Sequence, residues 1–514
     1  VRRLTPSTPR GLAAAAALLT ALVLAACAVG PSPRVSTGVG PVLARSNTAA
    51  PSAARTLLDS LDAARAADPA GGPTPATDSA GAPASRPLPV PARLALDPAR
   101  DLAWLDVLRD PQLVAFVTEA VAHNPDLREA QGRVREFRAQ LGGARSGFFP
   151  QLSATGTTSR NQVAFGPQVV GFDAVRATAD LSWELDFWGR IRRGAEAARF
   201  DLGAREEDVR ATTLTLVGDV ATAYLQVREF DESVRIADET LASRRATLDL
   251  ARRRFRQGVT SELDVAQFEA ELADPATRVA DFTRQRAQAE NRLALLLGRS
   301  PGPVARGRSL EATVASVRVP DSLPGALVAR RPDVLAAERG LRASVARVGA
   351  ASASRLPAVT LGGQYGTQRP DFARLFGRAG EVYAAQVGVS VPLFTGGRLQ
   401  AEVRAAEARA DQTRARYDRT VLTALREASD ALAGARYGRD QLAAQATQAR
   451  ALGRAFFLAE RRYRSGVSSY FEVLDAQRRL FAAQLALVQV QRQYLVSTVD
   501  LYRALGGGWG GAPR

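Results

Sequence analysis

Three acidic side chains stand at spacings that could do chemistry: Asp264, Glu472 and Asp475. Glu472 and Asp475 are three apart, so on a helix both can face the same side. Asp264 and Glu472 each follow a serine by three residues, Ser261 and Ser469. That is the spacing of a capping box, in which serine and acid satisfy the free amides of a helix start. Capping accounts for two of the acids and leaves Asp475 over. Elsewhere the chemical inventory is thin. One cysteine excludes an internal disulfide framework and a cysteine-cluster metal site, and the single histidine, His123, reads as a solvated residue near a helix turn. The chain carries no paired-carboxylate cleft, phosphate loop or nucleophile motif, and a single histidine leaves little material for acid–base or metal chemistry.

The elements that must hold these acids are legible because they occur twice. Arg253 to Leu272 (RRFRQGVTSELDVAQFEAEL) recurs as Arg461 to Leu480 (RRYRSGVSSYFEVLDAQRRL), 208 positions later. In each copy a glycine, Gly258 or Gly466, reads as the left-handed stop of one helix and the serine as the start of the next, so both are tips of helical hairpins. Ahead of each tip a 4,3 spacing of small and apolar residues runs from Val209 to Phe255 and from Tyr417 to Tyr463, a heptad seam with one polar break per copy, Arg244 and Gln445. A helix from Arg190 to Gln257 extends about 100 Å at 1.5 Å per residue. The return helices are expected from Ser261 to Leu297 and from Ser469 to Leu505, with Pro275 kinking or interrupting the first. Upstream of each long helix the period drops to two. Ala177, Ala179, Leu181, Trp183, Leu185 and Phe187 alternate with polar residues, as do Val359 to Tyr365 and Tyr383 to Leu393, with a weaker partner at Leu152 to Val163. Strands of about ten residues with one apolar face fit a transmembrane β-barrel, and a half-buried soluble sheet alternates in the same way. Four strands cannot close one, so a spanning barrel has to be shared between subunits. A single helix is expected from Asp110 to Arg145, ahead of the first strand pair.

Arg2 and Arg3 precede an apolar run from Leu12 to Ala26, which suits a secretory signal and ends at Cys27. Leu24-Ala25-Ala26-Cys27 resembles the lipobox of bacterial lipoproteins, in which the cysteine is lipidated and becomes the N-terminus. From Val29 to Pro91 the chain is rich in Ala, Pro, Ser and Gly and reads as a flexible tether. The net charge of +16 leaves an anionic partner open, nucleic acid or a membrane surface. A basic coiled-coil nucleic-acid-binding or scaffold protein accounts for charge and heptads but not for signal, lipobox and alternating strands.

Taken together, Leu24 to Cys27, Asp180 to Arg190 (DLSWELDFWGR), Arg330 to Glu338 (RRPDVLAAE), Val391 to Arg398 (VPLFTGGR), Arg461 to Arg478 and Leu501 to Trp509 (LYRALGGGW) resemble the TolC-like outer-membrane efflux proteins, in their lipoprotein branch. The resemblance implies a mainly α protein with membrane β: long coiled-coil hairpins forming a periplasmic α-barrel, and four transmembrane strands per chain in a 12-stranded barrel of a homotrimer. It divides the chain into a signal peptide (1–26), a lipidated N-terminus and tether (27–96), a first efflux repeat (97–298), a linker (299–324), a second repeat (325–506) and a tail (507–514). It also implies an outer-membrane location among outer-membrane lipids, a periplasmic adaptor, an inner-membrane pump of the RND type and passive export of drugs or other small molecules, with type I protein secretion as the alternative. Carried over by position, the family's periplasmic gate falls on Tyr463, Glu472, Asp475 and Asp264. Its adaptor contacts fall on the tips, Gly258, Val259, Thr260, Ser261, Gly466, Val467, Ser468 and Ser469. Ser468 stands where some relatives carry a gate-bridging arginine, and Arg464 and Arg256 are the candidates to replace it.

Overall fold

The computed structural model describes residues 107–165, 168–317, 329–372 and 380–507. Cys27, the signal peptide, the tether, the linker's end at 318–324 and Trp509 lie outside them. Eight helices and four strands follow one another among the described residues. They are α1 (Pro111–His123), α2 (Pro125–Ser146), β1 (Gln151–Phe165), β2 (Gln168–Leu185), α3 (Arg190–Arg256), α4 (Glu262–Leu296), α5 (Leu310–Ser316), α6 (Pro332–Ala353), β3 (Ala358–Arg369), β4 (Glu381–Ser390), α7 (Arg398–Arg464) and α8 (Tyr470–Ala504). The long helices α3 and α7 have 67 residues each, the return helices α4 and α8 have 35 each, and α2 and α6 have 22 each.

Two compact units share these helices. One holds Arg133–Arg205 and Ala336–Asp418, including every strand. Its sheet is antiparallel in the order β1-β2-β3-β4, so both edge strands are open. The register sorts the side chains by face. Trp183, Leu361 and Val387 lie in one row, Leu185, Val359 and Val389 in another, Ala179, Tyr365 and Tyr383 in a third. The alternate rows are polar, and there Gln364 donates to Asp180 at 2.7 Å and Arg176 to Gln368 at 2.7 Å. Among the described residues the apolar rows stay open on β4, where Tyr383 is 84% exposed, and are half-buried on β2 at Trp183 and Leu185. The strands are longer than the alternation suggests at their outer ends, and β1 forms despite its weak pattern because all of it pairs with β2. At the inner ends Phe187, Val391 and Leu393 fall outside the strands.

The junction from β2 to α3 explains the residues of the DLSWELDFWGR stretch. Asp186 accepts from the amides of Ile191 and Arg192, capping α3, and Arg190 forks onto Glu184. Trp188 donates to the Pro357 carbonyl at 2.6 Å, tying this junction to the start of β3. Gly189 takes φ +80°, a turn that a side chain would strain.

The second unit holds the described residues of 107–132, 206–335 and 419–507. The expected helix from Asp110 to Arg145 is two helices, because Pro125 forces Asn124 into extended backbone. Asn124 then does double duty: its Oδ1 accepts from the amides of Asp126 and Leu127, and its Nδ2 donates to the Leu296 carbonyl at the end of α4. The linker contains α5, capped by Ser309. It is pinned from Gly307 and Arg308, since Tyr224 donates to Asp110 at 2.8 Å while its oxygen accepts from the Gly307 amide, and Asp110 accepts from the Arg308 amide. Much of the heptad seam is buried: Val220, Ala223, Val227 and Ala237 on α3, and Ala424, Ala431 and Ala435 on α7, are closed to solvent, while Phe255 at the end of the first seam is exposed. No described helix is long and apolar enough to cross a membrane.

Candidate functional site at the hairpin tips

Each hairpin ends in the same backbone device. Past α3, the Val259 amide donates to the Arg254 carbonyl and the Gly258 amide to Phe255, with Gly258 at φ +70°. Past α7, Val467 donates to Arg462 and Gly466 to Tyr463, with Gly466 at φ +77°. These paired bonds close the last carbonyls of a helix around a left-handed residue, which is why glycine stands there. Val259 and Val467 project outward, as do Leu263 and Phe471 one turn on.

The two helix starts differ. Ser261 forms the complete capping box: its hydroxyl accepts from the Asp264 amide, and the Asp264 carboxylate accepts from the Ser261 amide at 3.1 Å and hydroxyl at 2.9 Å. Thr260 half-buries itself and donates back to Ala251. Ser469 takes the same extended backbone but makes no side-chain cap bond, so the expected second box does not form. Glu472 instead stands 4.0 Å from Arg462 across the tip, and Asp475 accepts from Arg479 one turn along α8. The Ser468 hydroxyl is buried and has no hydrogen-bond partner among the described residues.

Among the described residues no hydrogen bond joins Tyr463 to Asp264, whose carboxylate is occupied by its own cap. Tyr463 is buried, with the Arg254 guanidinium 4.8 Å above its ring and Tyr470 at 5.9 Å between centroids. Tyr470 in turn tilts against Phe268 of the first hairpin. An arginine therefore does reach across from one hairpin to the other at this tyrosine, but it is Arg254, while Arg464 pairs with Glu460 on its own helix.

A second cross-hairpin group lies further along the helices, and sequence reasoning missed its role. Arg244, the polar break in the first seam, is buried at 3% exposure and pairs with Glu271 at 3.2 Å. Its Nη1 also donates to the Glu271 backbone carbonyl. From α8, Arg478 forks onto the same Glu271 carboxylate. That carboxylate raises the Arg478 pKa by accepting its hydrogen bonds, and burial, with the same negative charge second, raises that of Tyr470. The counterpart seam break, Gln445, donates to the Ala483 carbonyl at 3.2 Å. Both breaks are thus cross-helix donors to a return helix.

Comparison with known proteins agrees with the fold. The Outer membrane efflux protein family matches residues 116–299 and again 323–507. Over 417 residues the chain is 35% identical to the probable efflux pump outer membrane protein TtgC of Pseudomonas putida, covering 80% of this chain and 86% of the relative. It is 31% identical over 434 residues to SilC of Salmonella typhimurium, described as a probable outer membrane lipoprotein, covering 82% and 94%. A crystal structure of CusC, a protein known from Escherichia coli as a cation efflux system protein, superposes with a TM-score of 0.74 at 31% identity, over 84% of this chain and 99% of that one. The chain belongs to the outer membrane efflux protein family and is an outer-membrane channel of that class.

Proposed function

We propose that three copies of this chain form one passive exit duct, in which four strands from each close a 12-stranded barrel in the outer membrane and the paired hairpins line a periplasmic tunnel. The observation that carries this is the sheet: four strands with two open edges and an uncovered apolar face satisfy neither water nor lipid alone. Further copies pair the edges, and lipid covers the apolar rows. The polar rows then face a water-filled lumen. The twofold plan of the sequence supplies two hairpins per chain, and the domain boundaries are those set out above, with a lipid on Cys27 adding an anchor.

The tips serve as the periplasmic gate. In a trimer Glu472 and Asp475 contribute six carboxylates around the axis, a ring that attracts cations and resists others of its own sign. Tyr463 backs them, and Asp264 supports the first tip through its cap. The tip residues, Gly258 to Ser261 and Gly466 to Ser469, with Val259 and Val467 among those exposed, meet a periplasmic adaptor that couples the duct to an inner-membrane pump of the RND type. The duct passes drugs or other small molecules and selects weakly, since the relatives with this fold carry names that point to different substrates, cations for one and toluene for another. Neither a cofactor nor a catalytic step enters this function.

Detergent-extracted full-length protein is expected as a trimer that conducts in planar bilayers. A stable monomer overturns the shared barrel. Replacing Glu472 and Asp475 together by alanine is expected to raise conductance and weaken block by multivalent cations; unchanged block removes the acids from the gate.

A further inference from the structure

Pro275 lies inside α4, yet the helix runs without interruption from Glu262 to Leu296. A proline there has no amide to give to the carbonyl four residues back, and its ring pushes that carbonyl outward. The carbonyl in question belongs to Glu271. It is the group to which Arg244 of α3 donates. A buried guanidinium thus takes the place of the missing amide, and the same arginine holds the Glu271 side chain. So positioned, the Glu271 carboxylate, 13% exposed, receives both donors of the Arg478 fork from the second hairpin. Asp274, 3.8 Å from Arg244, completes a group of two arginines and two carboxylates. Nearby, Gln477 donates to Ser243, and Tyr470 packs on Phe268.

We propose that Glu271 and Arg478 form the latch that holds the two hairpins of a subunit together behind the tips, with Arg244 and Pro275 as the device that presents Glu271. The inference rests on the duct reading above and deepens it: it assigns the hairpin-closing contact to residues other than the tip acids and supplies the bridging arginine that Ser468 lacks. Three features single out this pair among the ion pairs of the second unit. It joins α4 to α8, hence one hairpin to the other. It is a bidentate fork on a largely buried carboxylate, the geometry in which such pairs have most effect. And it is prepared by a local irregularity, a helical proline, whose unsatisfied carbonyl is used to orient one partner.

The test uses the full chain, purified and inserted in planar bilayers. Glu271→Gln and Arg478→Gln should each raise conductance at least about threefold over wild type, as expected when a constriction loses a restraint. The double variant should do no more than the larger single, because the two changes remove one contact. Arg478→Lys, which keeps the charge but not the fork, should fall between. Arg244→Met should lower the thermal midpoint by roughly 3 °C. Adding Pro275→Ala, which returns an amide to the Glu271 carbonyl, should recover most of that loss. Singles that conduct like wild type, or a double whose effect is the product of the singles, overturn the latch. An Arg244→Met defect that Pro275→Ala leaves untouched overturns the presenting device, read by thermal unfolding whether or not the protein conducts. A monomer or a protein that forms no pore sinks the duct reading itself, whereas a conducting trimer indifferent to Glu271 and Arg478 sinks the latch alone.

Discussion

The two halves of this chain build the same outline with different chemistry at equivalent positions. Asn124 and Arg331 each reach the carbonyl that ends a return helix, Leu296 for the first and Ala504 for the second, and those carbonyls are 208 positions apart. The asparagine does so as a neutral cap with two further backbone bonds. The arginine does so as a buried cation held by Asp333 and by Glu427 at 2.8 Å. At the tips the first half has a closed capping box and the second an open one, with Glu472 turned to Arg462. The first return helix carries a proline answered by a neighbouring arginine, and the second has Ala483 at that place. A backbone plan therefore constrains where polar bonds are needed but not which side chain makes them. The freedom left over is where the second half acquires uncapped acids at its tip.

The comparison can be strained most at the two helix-end anchors. Arg331→Ala removes a charged donor from two carboxylates and a carbonyl, and should cost about 2 kcal/mol or more of stability in denaturant titration of the detergent-solubilised protein. Asn124→Ala should cost about 1–2 kcal/mol, since only neutral bonds are lost. Equal losses would show that the charge in the second anchor contributes nothing. At the tips, Ser261→Ala should cost about 1 kcal/mol, while Ser469→Ala, which loses no cap bond, should stay within about 0.5 kcal/mol of wild type. A matching loss at Ser469 would mean that the second box closes after all.

The smallest expected effect concerns Glu229, which is buried on α3 and paired with Arg492 of α8 at 2.7 Å, while Tyr437 at the equivalent place in α7 is exposed. Burial raises the Glu229 pKa, and the Arg492 charge only partly offsets it. The folded state then holds a proton at a pH where the unfolded chain has released it. The sign follows: this residue's contribution to stability declines as pH rises from the ordinary carboxylate pKa through the raised one. Glu229→Gln should therefore flatten the dependence of the thermal midpoint on pH just above pH 4.5, the group's ordinary value; an unchanged slope would count against a raised pKa.

Helix ends and hairpin tips were legible from residue types because the signals are local. Glycine at a left-handed position and serine three before an acid act within one turn of backbone. Gly258, Gly298, Gly466 and Gly506 all take positive φ where the sequence places helix ends, and the return helices begin and end within a residue of expectation. The strands were located by alternation but not bounded by it, since pairing with β2 and β3 extends them into residues without a pattern. The break at Asn124-Pro125 was hidden by an apolar period that continues across it. What sequence could not reveal were donors acting across helices. Arg244 and Gln445 break the apolar seam and Pro275 removes an amide from α4, and in the sequence these oddities are unconnected. Their common logic needs the distance between α3 and α4, which periodicity does not encode. The clue available was arithmetic: the carbonyl four residues before a helical proline needs a donor from elsewhere.

The open edges of the sheet also bear on the order of events when the protein is made. A single subunit presents β1 and β4 unpaired, each a template for another strand. In the proposed shared barrel, strand pairing between subunits is a step of more than first order in chain concentration, so insertion should lag at low expression and accelerate steeply as copies accumulate. On that proposal, subunits waiting for partners keep an exposed strand edge open to aggregation, so the yield of inserted protein should depend on the timing of encounter as much as on the stability of the finished barrel.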